Sequence, residues 1–406
     1  MRTPANIGQD LRDAREAWGL SREELAARAE LEEDDVRAAE LGQATPGVLD
    51  DLARSLGGNL DELMLGHRFW EAPAVVFRSA PGTLDRAEVR RVLARVASAA
   101  RLRRWLVDLL GQPDEWTRTR ERLSPVGLAE NIPEQAEELA GRVRAHVGNP
   151  LEPIVSVRAL MRRLGVATFL ADFSTEEVDG MMWRDAAWQK ATACAAANVR
   201  ARGGLVTALR ATFAHELCHA LFDGTHEQAS GRLEDRDTPR ADALERRANA
   251  FMIYLLAPRE AVAGFLRDRG VSGERKPNHQ DLLAMARYFG LGVEACANHL
   301  CNLRILNREE SSRFRDLRSP REALGFRIDD AERALPAPRN SVELELRGEI
   351  LDLATRALLE GFLTEGRFRE ILGLHYLDDW RRLLPGDSGE ELAEPGPLSG
   401  EAEEPA

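Results

Sequence analysis

Val206-Thr-Ala-Leu209-Arg-Ala-Thr-Phe213-Ala-His215-Glu216-Leu217-Cys218-His219-Ala-Leu221-Phe222 decides how this chain is read. Its apolar residues recur at helical spacing, and it contains H-E-x-x-H. Residues four apart share one face of a helix, so His215 and His219 can reach a single metal ion. Glu216 lies one step round, within reach of a water on that ion. Zinc lowers the pKa of such a water toward neutrality, and the glutamate takes its proton for attack on a carbonyl. The pattern implies a zinc-dependent peptidase. The competing reading is a surface helix carrying two unrelated histidines, which chance would supply in roughly 1% of such chains.

A catalytic zinc of this kind takes two histidines, one carboxylate and an open position. Downstream, Ala248, Phe251, Leu255 and Leu256 form an apolar helical stripe that Pro258 ends. Glu245 sits three residues before Ala248, at the edge of that stripe. A carboxylate entering an apolar face needs a partner, and a metal ion would supply one. The alternative for Glu245 is a solvated acid paired with Arg246 or Arg247. Asn249, one turn on, is expected to hold a ligand ring from behind.

The stretch Arg210-Ala-Thr212-Phe-Ala214-His215-Glu216-Leu-Cys-His219, then Glu245-x-x-Ala248-Asn249-x-Phe251 and Leu255-Leu256-Ala-Pro258, resembles the ImmA/IrrE family of metallopeptidases. Upstream, Leu160-Met-Arg-Arg-Leu-Gly165-Val166 is similar to that family's helix-then-glycine entry to a first strand. Gly180-Met-Met-Trp183 and Ala193–Asn198 resemble its sheet strands, with Asn198 where the family often ends an edge strand. The resemblance covers about residues 130–305 and implies a zincin-like fold. It implies His215, His219 and Glu245 as zinc ligands and Glu216 as the base. It also implies a protein substrate, a helix-turn-helix repressor cut in a stress or DNA-damage response. Cys218 departs from the family, which usually has glycine there. It reads as a small buried hydrophobe, with a redox-sensitive thiol near a metal as the alternative.

The beginning of the chain carries a second signal. Ile7, Leu11, Arg15, a break at Gly19-Leu20 and a Ser21-x-x-Glu24 capping box are followed by Val36, Glu40, Leu49 and Leu52-Ala53. This resembles an XRE-type helix-turn-helix domain over residues 1–65. Its third helix, Leu31–Glu40, opens on Glu32-Glu33-Asp34-Asp35. Residues 1–65 hold 7 Arg, no Lys and 15 acidic residues, a net charge of −8. Phosphates would repel that helix, so DNA is a doubtful partner. A protein-interaction module that kept the fold is the other reading.

The remaining sequence sets bounds. With 406 residues, 44% hydrophobic content, few aromatics and a net charge of −13, the chain is expected to be mainly α and multidomain. The expected architecture is an N-terminal helix-turn-helix bundle, a central α+β zincin-like domain with a small sheet, and a C-terminal helical region. Segment by segment, the expectation is a linker and helical segment over 66–130 and the peptidase domain over 131–270. Helices follow over 271–384, then a disordered acidic tail over 385–406. Strands are expected near 166–171, 180–183 and 191–199, and late helices near 344–359 and 366–374. Residues 66–80 read as a partly ordered linker. Arg101-Leu-Arg103-Arg104 reads as a solvated basic face, with a phosphate-binding role as the alternative. His226, in the charged loop Asp223–Ala241, reads as a solvated loop histidine rather than an extra ligand. Four scattered cysteines, no membrane-length apolar stretch and no leader-like start point to the cytoplasm and no membrane partner. Two further functions stay open: a DNA-binding regulator with a vestigial peptidase domain, and a zincin effector of a toxin–antitoxin or phage-defence pair.

Overall fold

The computed structural model describes residues 3–17, 20–56, 60–65, 74–79, 87–113, 115–173, 176, 178–185, 192–201, 205–223, 239–272, 275–314 and 349–372. It is mostly helical, with one four-stranded sheet. The first five helices are α1 (Pro4–Ala17), α2 (Arg22–Ala29), α3 (Glu33–Glu40), α4 (Pro46–Ser55) and α5 (Leu60–Leu65). Ile7, Leu11, Leu25, Val36, Leu52 and Leu63 meet in a core of their own. Helix α2 starts where the capping box places it. Ser21 Oγ accepts the Glu24 N–H at 3.0 Å, and the Glu24 carboxylate accepts the Ser21 N–H at 2.7 Å. Gly8 lets α1 press on the end of α3, since a Cβ there would lie 2.5 Å from the Glu40 carbonyl oxygen. The Glu40 carboxylate is buried and accepts from Arg15 Nε at 2.6 Å and Arg22 Nε at 2.9 Å.

The central elements follow as β1 (Ala74–Ser79), α6 (Ala87–Leu109), α7 (Glu115–Arg122), α8 (Ile132–His146), α9 (Val157–Arg163), β2 (Val166–Ala171), β3 (Val178–Asp185), β4 (Thr192–Asn198) and α10 (Val206–Phe222). Next come α11 (Pro239–Leu256), α12 (Arg259–Asp268), α13 (His279–Phe289), α14 (Val293–Asn302), α15 (Arg308–Ser312), α16 (Leu351–Leu359) and α17 (Glu365–Ile371). The sheet order is β1-β3-β4-β2, with β2 and β4 parallel and the other pairs antiparallel. Strand alternation sorts its side chains between two cores. Ala193, Ala195, Ala197 and Met182 join α10 and the later helices, whereas Cys194, Ala196, Met181 and Trp183 join α6 and α16. Small residues along β4 let helices approach the sheet closely on both sides.

Three expectations need correction. The segment expected to be a linker, residues 66–80, contains β1, which pairs with β3. Its partner lies about a hundred residues later, so no local pattern announces it. The expected edge strand ending at Asn198 is interior, flanked by β3 and β2. Asn198 nevertheless ties the strand ends together: it is buried, donates to the Val178 carbonyl at 2.7 Å and accepts the Arg200 N–H at 3.1 Å. The basic cluster on α6 is buried rather than solvated, because α6 lies along the second face of the sheet. Arg101 stacks over Trp183 at 5.6 Å, Arg103 pairs with Glu349 at 2.8 Å, and Arg104 forks onto Asp108 at 2.9 and 3.2 Å. Helices α16 and α17, which fall where the two late helices are expected, share their core with α6 and the sheet. Residues 385–406 and His226 lie outside the described residues.

Helix α10 is buried on nearly every side, between β3, β4, α9 and α11, as a helix that is apolar all round must be. Burying Phe213, Leu217, Leu221 and Phe222 contributes about 1.5–3 kcal/mol each. Arg210 pins its first half from inside the protein, donating to the carbonyls of Ile154 at 2.6 Å, Val155 at 2.7 Å and Gly290 at 3.3 Å. Arg144 does the same for the end of α11. It donates to the carbonyls of Leu255, Leu256, Asn149 and Glu152 at 2.7–3.4 Å, and so satisfies groups the helix leaves open. No helix among the described residues is long and apolar enough to cross a membrane.

Candidate metal centre

Successive turns of α10 put the rings of His215 and His219 edge to face, 4.8 Å between centroids. Their Nε2 atoms lie 3.0 Å apart. Helix α11 packs along α10, with Phe251 against Phe222 at 5.7 Å. That contact fixes the register in which Glu245 meets the rings. Its Oε2 lies 3.3 Å from His215 Nε2 and its Oε1 3.4 Å from His219 Nε2. The three residues form a group whose ligand atoms all lie within 4.8 Å of one another. A tetrahedral centre with bonds of about 2.0–2.1 Å separates its ligand atoms by about 3.3–3.4 Å. Two imidazoles and a carboxylate at this spacing therefore fit zinc.

Glu216 is 1% exposed and points to the sheet side of the helix. Opposite it is Gly180 of β3. A Cβ there would stand 3.6 Å from Glu216 Oε1 and collide with Thr212 Cγ2 at 2.3 Å and the Ala196 carbonyl at 2.8 Å. Glycine is thus required where the sheet meets the helix beside the carboxylate.

A carboxylate beyond the metal-ligating group holds His219 from behind. Asp223, four residues on, accepts from His219 Nδ1 at 2.6 Å. Asp223 in turn is paired with the guanidinium of Arg247, which is fully buried and also donates to the Val126 carbonyl at 3.1 Å. Asn249 is half-buried one turn beyond Glu245. With Nδ1 held by Asp223, Nε2 faces Glu245 and His215, and it is the nitrogen that a deprotonated His219 would offer a metal. Arg247, the alternative partner for Glu245, is spent on Asp223. A carboxylate four residues after a histidine on one helix face was readable from spacing. Arg247 gave no such signal, because its partner lies on another helix.

Electrostatics bind the group together. Burial disfavours a charged His219, but Asp223, backed by Glu245, outweighs it and pushes the imidazolium pKa up to about 10. Burial likewise opposes the charges of Asp223 and Glu245. His219 and Arg247 hold Asp223 below the ordinary carboxylate range, and the two imidazoles do so for Glu245. A cluster this rich in carboxylate favours positive charge at its centre. Cys218 is fully buried, and burial pushes its thiol well above the ordinary range.

Helices α10 to α14 carry an independent mark. Residues 206–300 match the family model Peptidase_M78, described as IrrE N-terminal-like domain. This supports a place in the ImmA/IrrE family and a zincin-like, metallopeptidase character for that part of the chain. No curated protein matches the chain.

Proposed function

We propose that this protein is a regulatory zinc metallopeptidase that cuts a peptide bond in a partner protein. The observation that carries the reading is the meeting of His215, His219 and Glu245 at ligand spacing, with Glu216 buried one position away. Those three residues would hold zinc, which supplies Lewis acidity and a water of lowered pKa. Glu216 Oε1 or Oε2 takes the proton from the attacking water and later gives it to the leaving amine. Burial against Gly180 keeps that carboxylate from wandering. Asp223 and Arg247 orient the His219 ring.

The substrate we favour is a helix-turn-helix repressor, as the family resemblance implies, in a stress or mobile-element response. The N-terminal bundle suits a protein partner better than DNA. On α3, Glu33 and Asp34 are exposed, and Arg37, the helix's one cation, is already paired to both at 3.5 and 3.1 Å. A helix so charged repels phosphate and attracts a basic protein surface. The test is a survey of new protein N-termini in host cells, comparing wild type with Glu216→Gln, with and without DNA damage. A Glu216-dependent cut within a helix-turn-helix protein is expected. Unchanged cleavage in Glu216→Gln would refute the mechanism.

A further inference from the structure

Strand β3 faces Glu216 at Gly180, where an added Cβ would stand 3.6 Å from Glu216 Oε1. It has two hydrogen-bonding sides. One is filled by β4, from Gly180↔Ala197 to Asp185↔Thr192. The other is the side on which an extended peptide would add as a new strand, with main-chain bonds giving affinity. That side is taken by β1 of the same chain, antiparallel, from Ala74↔Arg184 to Phe77↔Met181. The register then shifts between Phe77 and Ser79, which pairs with Val178. The irregularity therefore falls opposite Asp179 and Gly180, the stretch beside Glu216. Bulges beside sites of chemistry break the ladder and redirect the chain locally.

We propose that β1 is an autoinhibitory strand. It holds the docking edge of β3, and an extended segment of the partner protein with apolar residues like Val75-Val76-Phe77 must displace it. The proposal rests on the peptidase reading and names the regulation of that same site. A segment tethered in the same chain competes at an effective concentration of about millimolar. Free peptides of ordinary affinity are thereby excluded until β1 lifts. β1 follows the N-terminal bundle after residues 66–73, so a partner that engages the bundle is placed to pull it away.

Binding is read with a fluorescent peptide of residues 72–81 on the full chain carrying Glu216→Gln, so the readout survives even if hydrolysis is never seen. Val76→Pro with Phe77→Pro should strip β1, because consecutive N–H groups point to opposite sides and one proline must fall on the ladder. The freed edge should bind the peptide at least about tenfold tighter than the unsubstituted edge. Ala74→Cys with Arg184→Cys, partners in the ladder, should clamp β1 when oxidised and abolish peptide binding, with reduction restoring it. Equal binding by the proline variant and its parent, at unchanged helix content and thermal midpoint, would overturn the proposal. So would undiminished binding by the oxidised clamp, which needs no disrupted strand to be informative.

Discussion

Replacing Gly180 by alanine adds one methyl group at the contact between the sheet and α10, the helix that carries His215 and His219. The Cβ would arrive 2.3 Å from Thr212 Cγ2 and 2.8 Å from the Ala196 carbonyl. Carbon atoms prefer about 3.5–4.0 Å, so the layers must part by more than about 1 Å or Thr212 must leave its rotamer. Thr212 is β-branched, buried and stiff at χ1, and the Ala196 carbonyl belongs to an interior strand. Neither yields cheaply. Overpacking of this kind costs about 1–3 kcal/mol. Removing a glycine stabilises by about 0.4–1 kcal/mol through the unfolded chain. The clash wins, and a net loss of about 1–2 kcal/mol is expected. Because His215, Glu216 and His219 follow Thr212 within two turns, a displacement near 1 Å should also cost about a hundredfold in hydrolysis. Urea unfolding of Gly180→Ala, Thr212→Ala and the double variant tests this. The double variant should recover part of the loss, with a coupling of about 0.5–3 kcal/mol. Gly180→Ala as stable as wild type, with no coupling to Thr212→Ala, would refute the reasoning.

Other consequences follow from the same geometry. Asp223→Asn should weaken zinc about 10–100-fold in a chelator competition, since the ring of His219 loses its charged anchor; undiminished affinity would deny Asp223 that role. His299 is buried with its Nε2 on the Ala257 carbonyl at 2.8 Å, and burial lowers its pKa from 6.5 to about 4. The unfolded chain therefore binds the extra proton between those values. Stability from this group is fully present above pH 6.5 and is lost as pH falls toward 4, by about 3 kcal/mol in all. His299→Gln should flatten that part of a stability-against-pH curve, and an unchanged slope would count against it. Arg144→Ala should cost about 2–4 kcal/mol in urea unfolding, because several buried carbonyls lose their donor at once. Arg144→Lys should recover little of it, since an ammonium cannot reproduce the planar fork.

The parts of the fold and site that were legible in the sequence are those written in local spacing. His215 and His219 announce themselves four residues apart, and Glu245 by its place beside the stripe of Ala248, Phe251 and Leu255. The Ser21 cap and strand β2 at Val166–Ala171 fall where expected. What escaped depends on distant partners. β1 is six residues whose meaning lies in a strand a hundred positions later. Arg101 and Arg103 look solvated until α6 is laid on the sheet and Trp183 and Glu349 meet them. The buried roles of Arg144, Arg210 and Arg247 escaped as well, because a helix pattern cannot reveal that buried carbonyls or Asp223 await them. The role of Gly180 needed the helix above it.

The metal content of the purified chain tests the central claim most directly. After zinc loading and gel filtration, wild type and Glu216→Gln should each retain one zinc per chain by mass spectrometry. His219→Ala and Glu245→Ala should retain far less. A wild-type chain that emerges without zinc, or a His219→Ala chain that keeps a full equivalent, would contradict the account.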